Sequence, residues 1–209
     1  MDGVAALQYI LDRGVEGVIV ECGVGNGHFE HMWMQELNQR GVVREMYLYD
    51  TFAGLVRPTE KDFTCPGAVL YQMSKEEVME RWESEVITDT INGWCFDPLR
   101  KVQARLRATG YPEAHVHYVV GDVMETLKDD AALPEKIAIL RLDTDWYESS
   151  KWELERLYDR VVSGGVVIFD DYYHWDGQRR ATDEFFEARG IRPNLVAIGN
   201  GKTAAMIKP

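Results

Sequence analysis

The sequence predicts an open α/β fold, with five parallel strands extended by an antiparallel terminal hairpin and helices on both faces. Three observations carry this. Short apolar runs at 137–142 (I-A-I-L-R-L) and 166–169 (V-V-I-F) have the length and β-branching of buried parallel strands. Each runs straight into carboxylates, Asp143 and Asp145 after the first, Asp170 and Asp171 after the second. Between them Leu154, Leu157, Tyr158 and Val161 recur at helical spacing, a helix with one apolar stripe that Gly164-Gly165 is expected to end. Such a crossover makes the strands parallel and sets their carboxyl ends on one edge of the sheet. The third observation is the stretch 18–50, in which a strand, a glycine-rich turn, a helix and a second strand ending on an acid follow one another.

In chain order, residues 3–13 place Val4, Leu7 and Leu11 on one helical face, closed by Gly14. Val18-Ile19-Val20 is a buried strand that opens into Glu21-Cys22-Gly23-Val24-Gly25-Asn26-Gly27. Phe29, Met32, Trp33 and Leu37 then keep helical spacing up to Gly41, and 46–49 is a second strand closing with Asp50-Thr51-Phe52. Residues 53–74 hold no period and read as loop, punctuated by Gly54, Pro58, Pro66 and Gly67. Ser74 with Glu77 three residues on predicts a capping box, and a helix carrying Val78, Trp82 and Val86 on one face.

Residues 88–97 read as irregular, and Leu99, Val102 and Leu106 mark a helix ending near Gly110 and Pro112. Residues 53–96 thus form a part-helical insertion within one domain spanning 1–209, of the kind that serves as a lid or binding loop. Trp82 and Trp94 in it are read first as core. Residues 115–120 alternate and close on Gly121-Asp122, a third strand, with His115 and His117 on one face as structural residues. After Asp171, residues 172–179 form a loop feeding a helix with Ala181, Phe185 and Ala188 on one side. Runs at 195–198 and 204–207 flank Gly199-Asn200-Gly201-Lys202, a hairpin signal.

If the strands at 137–142 and 166–169 are neighbours, four carboxylates crowd the rim where open α/β sheets bind ligands. Such a cluster repels itself and is costly to desolvate, so it normally holds a cation or shares protons. An all-oxygen set favours a hard ion such as Mg²⁺, Mn²⁺ or Ca²⁺. Asp also caps helices at strand–helix junctions, which accounts for one or two of the four. The adjacent Asp170-Asp171 pair facing Asp143 and Asp145 is better explained by metal.

Bulk composition narrows the partners. A net charge of −12 over 209 residues argues against nucleic acid or an anionic membrane, and suits a cation and a neutral or cationic substrate. Cys22, Cys65 and Cys95 are odd in number and lack C-x-x-C spacing, so a reduced, cytoplasmic setting is expected. Met1-Asp2-Gly3 shows no basic segment leading an apolar stretch, so no signal peptide is expected, and no apolar run has the length of a membrane span.

The order strand, glycine-rich turn, helix, strand, acid serves two kinds of protein. A dinucleotide dehydrogenase wants G-x-G-x-x-G, with its third Gly where His28 stands, and a sixth parallel strand. Here E-C-G-V-G-N-G (21–27) resembles motif I of class I S-adenosylmethionine methyltransferases, a Rossmann-like fold with strand order 3-2-1-4-5-7-6. More specifically, L-Y-D-T-F-A-G-L (48–55), G-Y-P-E (110–113), G-D-V-M-E-T-L (121–127), L-R-L-D-T-D-W-Y-E-S (140–149) and D-D-Y-x-H-W-x-G (170–177) together resemble the macrocin O-methyltransferase family. Its members are metal-dependent enzymes that methylate sugar hydroxyls on macrolides and related natural products. The likeness covers nearly the whole chain in order.

The resemblance implies that S-adenosylmethionine is bound by Glu21, Gly23, Gly25, Gly27, Asp50, Thr51, Phe52 and Asp122. In this reading Asp50 takes the ribose hydroxyls and Asp122, also a helix cap, meets the adenine amino group. It further implies Asp143, Asp170 and Asp171 as ligands of Mg²⁺ and Asp145 as general base. His174 is the rival base, His being the commonest. Arg141, in a central strand, needs a partner and is read as structural, bridged to a rim carboxylate. Trp146, Tyr147, Tyr172 and Trp175 are candidates for an apolar wall against a sugar.

Three departures bear on the acceptor. Tyr173 stands where the family often has Gly, which is expected to narrow the site. The turn carries Asn26-Gly27-His28 in place of a bulkier variant. The amino-terminal region is short, where relatives carry helices that help build the pocket and the oligomer; a homo-oligomer stays open. The acceptor expected is a small molecule, a sugar or glycoside. The rival readings are a catechol-type O-methyltransferase, which typically uses an Asp-Asp-Asn set with a lysine base, and a non-catalytic S-adenosylmethionine-binding protein.

Overall fold

The computed structural model describes residues 3–199 and 201–209. In order they form α1 (Gly3–Asp12), β1 (Val18–Cys22), α2 (His28–Arg40), β2 (Met46–Asp50), α3 (Lys75–Ser84), β3 (Val86–Thr88), β4 (Ile91–Asn92), α4 (Leu99–Arg107), β5 (Val116–Val120) and α5 (Val123–Thr126). There follow β6 (Ile137–Leu142), α6 (Tyr147–Leu157), β7 (Val161–Phe169), α7 (Asp176–Ala188), β8 (Val196–Ile198) and β9 (Thr203–Ile207). The main sheet runs β5-β2-β1-β6-β7-β9-β8, which is 3-2-1-4-5-7-6 when only its own strands are counted. Pairing is parallel from β5 through β7, and β9 is antiparallel to both β7 and β8. The order reverses between β1 and β6, which opens a crevice at their carboxyl ends.

Alternate residues of the central strands feed two cores. Ile19, Ile139, Val166 and Ile168 meet α1, α2 and α4 through Ala6, Leu7, Ile10, Trp33, Leu37, Val102 and Leu106. Val20, Leu140, Val167 and Phe169 meet α6 and α7 through Leu154, Leu157, Phe185 and Phe186 on the other face. All six residues of β6 are buried, so its apolar run is continuous rather than alternating. Each fully buried Leu or Ile here stabilises by roughly 1.5–3 kcal/mol. Among the described residues no helix is long and apolar enough to cross a membrane.

Several elements differ from expectation. The side of α1 that is buried carries Ala6, Leu7 and Ile10, with Val4 and Leu11 only half-buried at its margins. The capping box at Ser74 and Glu77 forms as expected, but α3 ends at Ser84, and Val86, expected on its face, opens a small hairpin, β3 with β4, that runs into the stretch read as irregular. His115 sits in a short turn ahead of β5, and it and His117 both meet Glu45, at 2.5 and 2.6 Å, by the amino ends of β2 and β5. Helix α7 starts at Asp176, taking Asp176–Arg179 out of the loop, and Ala188 is exposed.

The Gly164-Gly165 pair does not end the crossover helix. Helix α6 stops at Leu157, a single turn follows, and Val161 already belongs to β7. The glycines mark a bulge: pairing with β6 jumps from Ile137↔Val161 to Ile139↔Val166. A Cβ on Gly165 would lie 2.8 Å from Val161 Cγ1 and 2.9 Å from the Val162 carbonyl, so only glycine fits. The terminal hairpin is formed by β8 and β9; Met1, Asp2 and Asn200 lie outside the described residues.

Candidate active site

The cleft at the β1/β6 crevice is floored by the glycine-rich turn. Gly23 (φ +86°) and Gly25 (φ +52°) line it, with Asp50, Thr51, Gly121 and Asp122 on one side and Asp143, Thr144, Asp145 and Ser149 on the other. Asp50 Oδ2 accepts the Val24 and Gly25 amides at 2.8 and 3.0 Å, and Oδ1 accepts the Phe52 amide at 2.6 Å. This fastens the turn to the end of β2 and fills Oδ2 with two bonds, leaving Oδ1 able to accept a further one. Burial pushes the Asp50 carboxyl up and these backbone bonds oppose it. Asp122 caps α5 by accepting the Met124 amide at 2.9 Å and faces the cleft as well.

Three of the residues expected at the cofactor do not line this cleft. Glu21 is fully buried behind it on Arg141. Gly27 is the left-handed residue before α2, with Val102 Cγ1 3.1 Å from where its Cβ would stand, so it serves helix packing. Phe52 is core, edge-on to Tyr118. At Gly23 the backbone just past β6 comes so close that a Cβ would lie 2.0 Å from the Asp143 carbonyl oxygen. Gly23→Ala is therefore expected to destabilise the fold by about 1–3 kcal/mol or more and to weaken S-adenosylmethionine binding, as read by thermal melting and calorimetric titration.

The acids converge, in a different grouping from the one expected. Asp143, Asp145 and Asp171 each offer an oxygen, all within 4.8 Å of one another. Asp170 turns the other way, onto Arg141 at 2.7 Å and onto the ammonium of Lys202. The trio Asp143, Asp170 and Asp171 is thus split, and Asp145 takes the third place. The sequence passed over Lys202, which also meets Asp171 at 2.8 Å. Arg141, 2% exposed next to the carboxyl end of β6, reaches Glu21, Asp143 (2.8 Å) and Asp170, and its guanidinium lies 3.8 Å above the Phe29 ring.

These contacts sort the carboxyls electrostatically. Burial would raise Asp170, but Arg141 and Lys202 outweigh it and hold that carboxyl at about 2. Asp145 is pushed well above the usual carboxylate range by burial and then by Asp171. Asp143 is pushed up by burial, against the pull of Arg141, with Asp170 and Asp171 adding to the rise. Burial works against the Lys202 ammonium, but Asp171, Asp143 and Asp170 overcome it and keep it charged.

Four rim carboxylates, with Glu21 behind them, therefore share two cations. The excess is carried by protons or by a divalent ion, and an all-oxygen donor set suits a hard one. The residues present fit such an ion.

Asp145 is aimed by a tight turn. The Trp146 amide donates to the Thr144 carbonyl at 2.8 Å, spanning Asp145, whose φ is +67°. That left-handed conformation costs a non-glycine residue on the order of 1–3 kcal/mol and persists where its surroundings impose it. His174 is buried in the cleft wall, and its two ring nitrogens have no partner among the described residues. Its ring is edge-on to Tyr71 and Trp175 at 4.7 and 4.9 Å, and burial holds its pKa below the usual histidine value.

The insertion closes the outer side. Trp94 and Trp175 line the cleft with Leu55, Val56, Leu70 and Tyr71, whereas Trp146 packs behind them at 5.1 Å from Trp175. Tyr147 and Tyr172 face away, onto Glu184 and Asp183, and Tyr173 packs on Tyr172 without lining the cleft, so it does not narrow the site. Trp82 binds the Leu55 carbonyl within the insertion.

The residues just ahead of α6 and α7 are Trp146 and Trp175, whose side chains make no capping bond. The insertion supplies the missing acceptors. Asp62 Oδ1 takes the Tyr147 amide and the Phe63 carbonyl takes the Asp176 amide, both at 2.8 Å.

An open sheet of this order, with its ligand crevice beside the glycine turn, is the scaffold of the S-adenosylmethionine-dependent methyltransferases, and the chain is an O-methyltransferase of that class. The family model described as Macrocin-O-methyltransferase (TylF) matches residues 4–205, and the chain belongs to that family. It is 30% identical over 197 residues, 92% of this chain and 68% of the relative, to 8-demethyl-8-(2,3-dimethoxy-alpha-L-rhamnosyl)-tetracenomycin-C 4'-O-methyltransferase of Streptomyces olivaceus. Demethyldecarbamoylnovobiocin O-methyltransferase of Streptomyces niveus is 33% identical over 190 residues, 90% of this chain and 65% of its own. The solved O-methyltransferase NovP shares the fold, with a TM-score of 0.80 at 24% identity over 99% of this chain and 77% of that one.

Proposed function

We propose that this O-methyltransferase acts on a sugar hydroxyl of a glycosylated small molecule, in the cytoplasm, with Mg²⁺ held at the rim by Asp143 and Asp171. The observation that carries this is the convergence of Asp143, Asp145 and Asp171 beside the glycine turn and opposite an aromatic wall. Two relatives support the acceptor class, since their names place methylation on a rhamnosyl group of a tetracenomycin and on mycinamicin III.

A sugar hydroxyl is a poor nucleophile because it holds its proton at neutral pH. A divalent cation, when bound, lowers the pKa of a hydroxyl on it. Asp145 takes the hydroxyl proton, the oxygen bonds to the methyl carbon, and the carbon–sulfur bond breaks with its electron pair going to sulfur. The product is a methyl ether and S-adenosylhomocysteine. The Gly23–Gly25 turn, Asp50 and Asp122 orient the donor, while Trp94, Trp175 and Tyr71 shield the reacting atoms and face the apolar side of the sugar.

The test is incubation with S-adenosylmethionine and panels of glycosides and catechols, read by mass for one added methyl. Transfer to catechols alone would overturn the acceptor class. Chelation is expected to lower turnover by about a hundredfold or more, restored by Mg²⁺, while donor binding persists. His174 is a second candidate for base because its ring nitrogens lack partners in the cleft wall. A pH–rate profile of His174→Gln that loses its acidic limb would favour it over Asp145.

A further inference from the structure

A buried carboxyl lies beneath the cleft that the proposed chemistry does not use. Glu153 on α6 is 0% exposed, and its Oε1 stands 2.8 Å from the hydroxyl of Thr144, the residue before Asp145. Ser149, one helical turn earlier on the same face, places its hydroxyl 2.9 Å from that of Thr144, 3.1 Å from the Trp146 carbonyl and 3.4 Å from the Thr144 carbonyl. Thr144 and Trp146 are the two residues whose backbones close the turn around Asp145. We propose that Glu153 is a positioning residue that holds, through Thr144, the turn that aims Asp145 into the cleft. The proposal rests on the reading of Asp145 as the base.

Proton counting gives the relay its direction. Thr144 has one hydroxyl proton and two neighbours, Glu153 and Ser149, within hydrogen-bond distance. A protonated Glu153 donates to Thr144, Thr144 to Ser149, and Ser149 to the Trp146 carbonyl, so that each proton has an acceptor. An ionised Glu153 would be a buried charge with no cation in contact among the described residues. The titratable groups facing it are Cys22 on β1 and Asp122 at the start of α5, neither of which favours the anion. Burial pushes this carboxyl up to about 8, against the pull that a Thr144 hydroxyl donating to the anion would exert.

Other contacts fix the flanks of the turn and leave Thr144 to this relay. Gly23 abuts the Asp143 backbone, Gln178 Nε2 donates to the Leu142 carbonyl at 3.0 Å, and Trp146 Nε1 donates to the Val56 carbonyl at 2.9 Å.

The test compares E153Q, E153L, T144V and D145N by hydrogen exchange of the 143–147 backbone, S-adenosylmethionine binding and methyl transfer to the glycoside panel. E153L and T144V are expected to speed exchange in that segment about tenfold or more and to lower kcat more than they raise KM. E153Q, whose amide still donates to Thr144, retains wild-type values. Unchanged exchange in E153L or, should that variant not fold, in T144V would overturn the proposal. Accelerated exchange together with full transfer by D145N would sink Asp145 as base and leave the role of Glu153 standing.

Stability against pH is a further readout. A carboxyl raised in the folded state contributes stability that is present below its unfolded value of about 4.3 and is lost as pH rises through about 8. The melting temperature of the wild type should therefore fall relative to that of E153Q across that window. A constant difference would overturn the protonated relay.

Discussion

Asp145→Asn is expected to lower kcat by roughly 10²–10⁴-fold, the span a positioned general base contributes, while S-adenosylmethionine affinity stays within about twofold. The substitution keeps shape and tolerance for the left-handed turn, since Asn, like Asp, visits φ near +67° more readily than other side chains. It removes only the proton acceptor and one negative charge from the cluster with Asp143 and Asp171. Turnover by single-turnover mixing and donor binding by calorimetry separate the two effects. A variant with wild-type turnover would return the base to His174.

The second large effect is expected at Arg141. Arg141→Met fills a similar volume in β6 but leaves Glu21, Asp143 and Asp170 without the cation that joins them. Stranding buried charges costs about 3–5 kcal/mol, measured by urea unfolding at pH 8. Asp170, held at about 2 by Arg141 and Lys202, stabilises the wild type above its unfolded value of about 3.9, and that share vanishes as pH falls through about 2. In the variant this share is lost and the stranded carboxyls favour protonation, so the gap from wild type should widen as pH rises from 4 to 8. Arg141→Lys should recover little, because one ammonium cannot reach three carboxylates in a planar fork. Equal stability of Arg141→Met and wild type at pH 8 would show that Lys202 alone neutralises the rim.

Much of this was legible in the residues because periodicity and strand-end acids mark the elements and their ends. The runs at 137–142 and 166–169 and the closing hairpin showed strands, the resemblance to class I methyltransferases implied their order, and Ser74 with Glu77 marked the start of α3 to the residue. Glycine was the ambiguous letter. Gly164-Gly165 can end a helix or relieve a bulge, and the crowding by Val161 and Val162 that decides between them is a tertiary fact. Motif positions gave the rim acids but not their partners. Asp170 and Asp171 are neighbours in sequence and share Lys202, yet the first turns onto Arg141 while the second faces the cleft. Lys202 could have been found: a strand antiparallel to β7 must begin at the end where β7 finishes, so the residue just before β9 belongs at the acidic rim. Glu153 gave no such sign, because a carboxyl on the buried side of α6 looks in sequence like a break in the apolar stripe.

The way residues 53–74 fasten to the two helix starts has a consequence for exchanging this segment among related enzymes. Asp62 and Phe63 form its root, bonded to backbone that every acceptor would require, whereas Val69 and Leu70 at its crest are 60% and 55% exposed. A graft that retains the root and replaces the crest should recast which glycosides enter without loosening α6 or α7. One that cuts through the root would fray both helix starts and loosen the loops just before them, which hold Asp145 and Asp171.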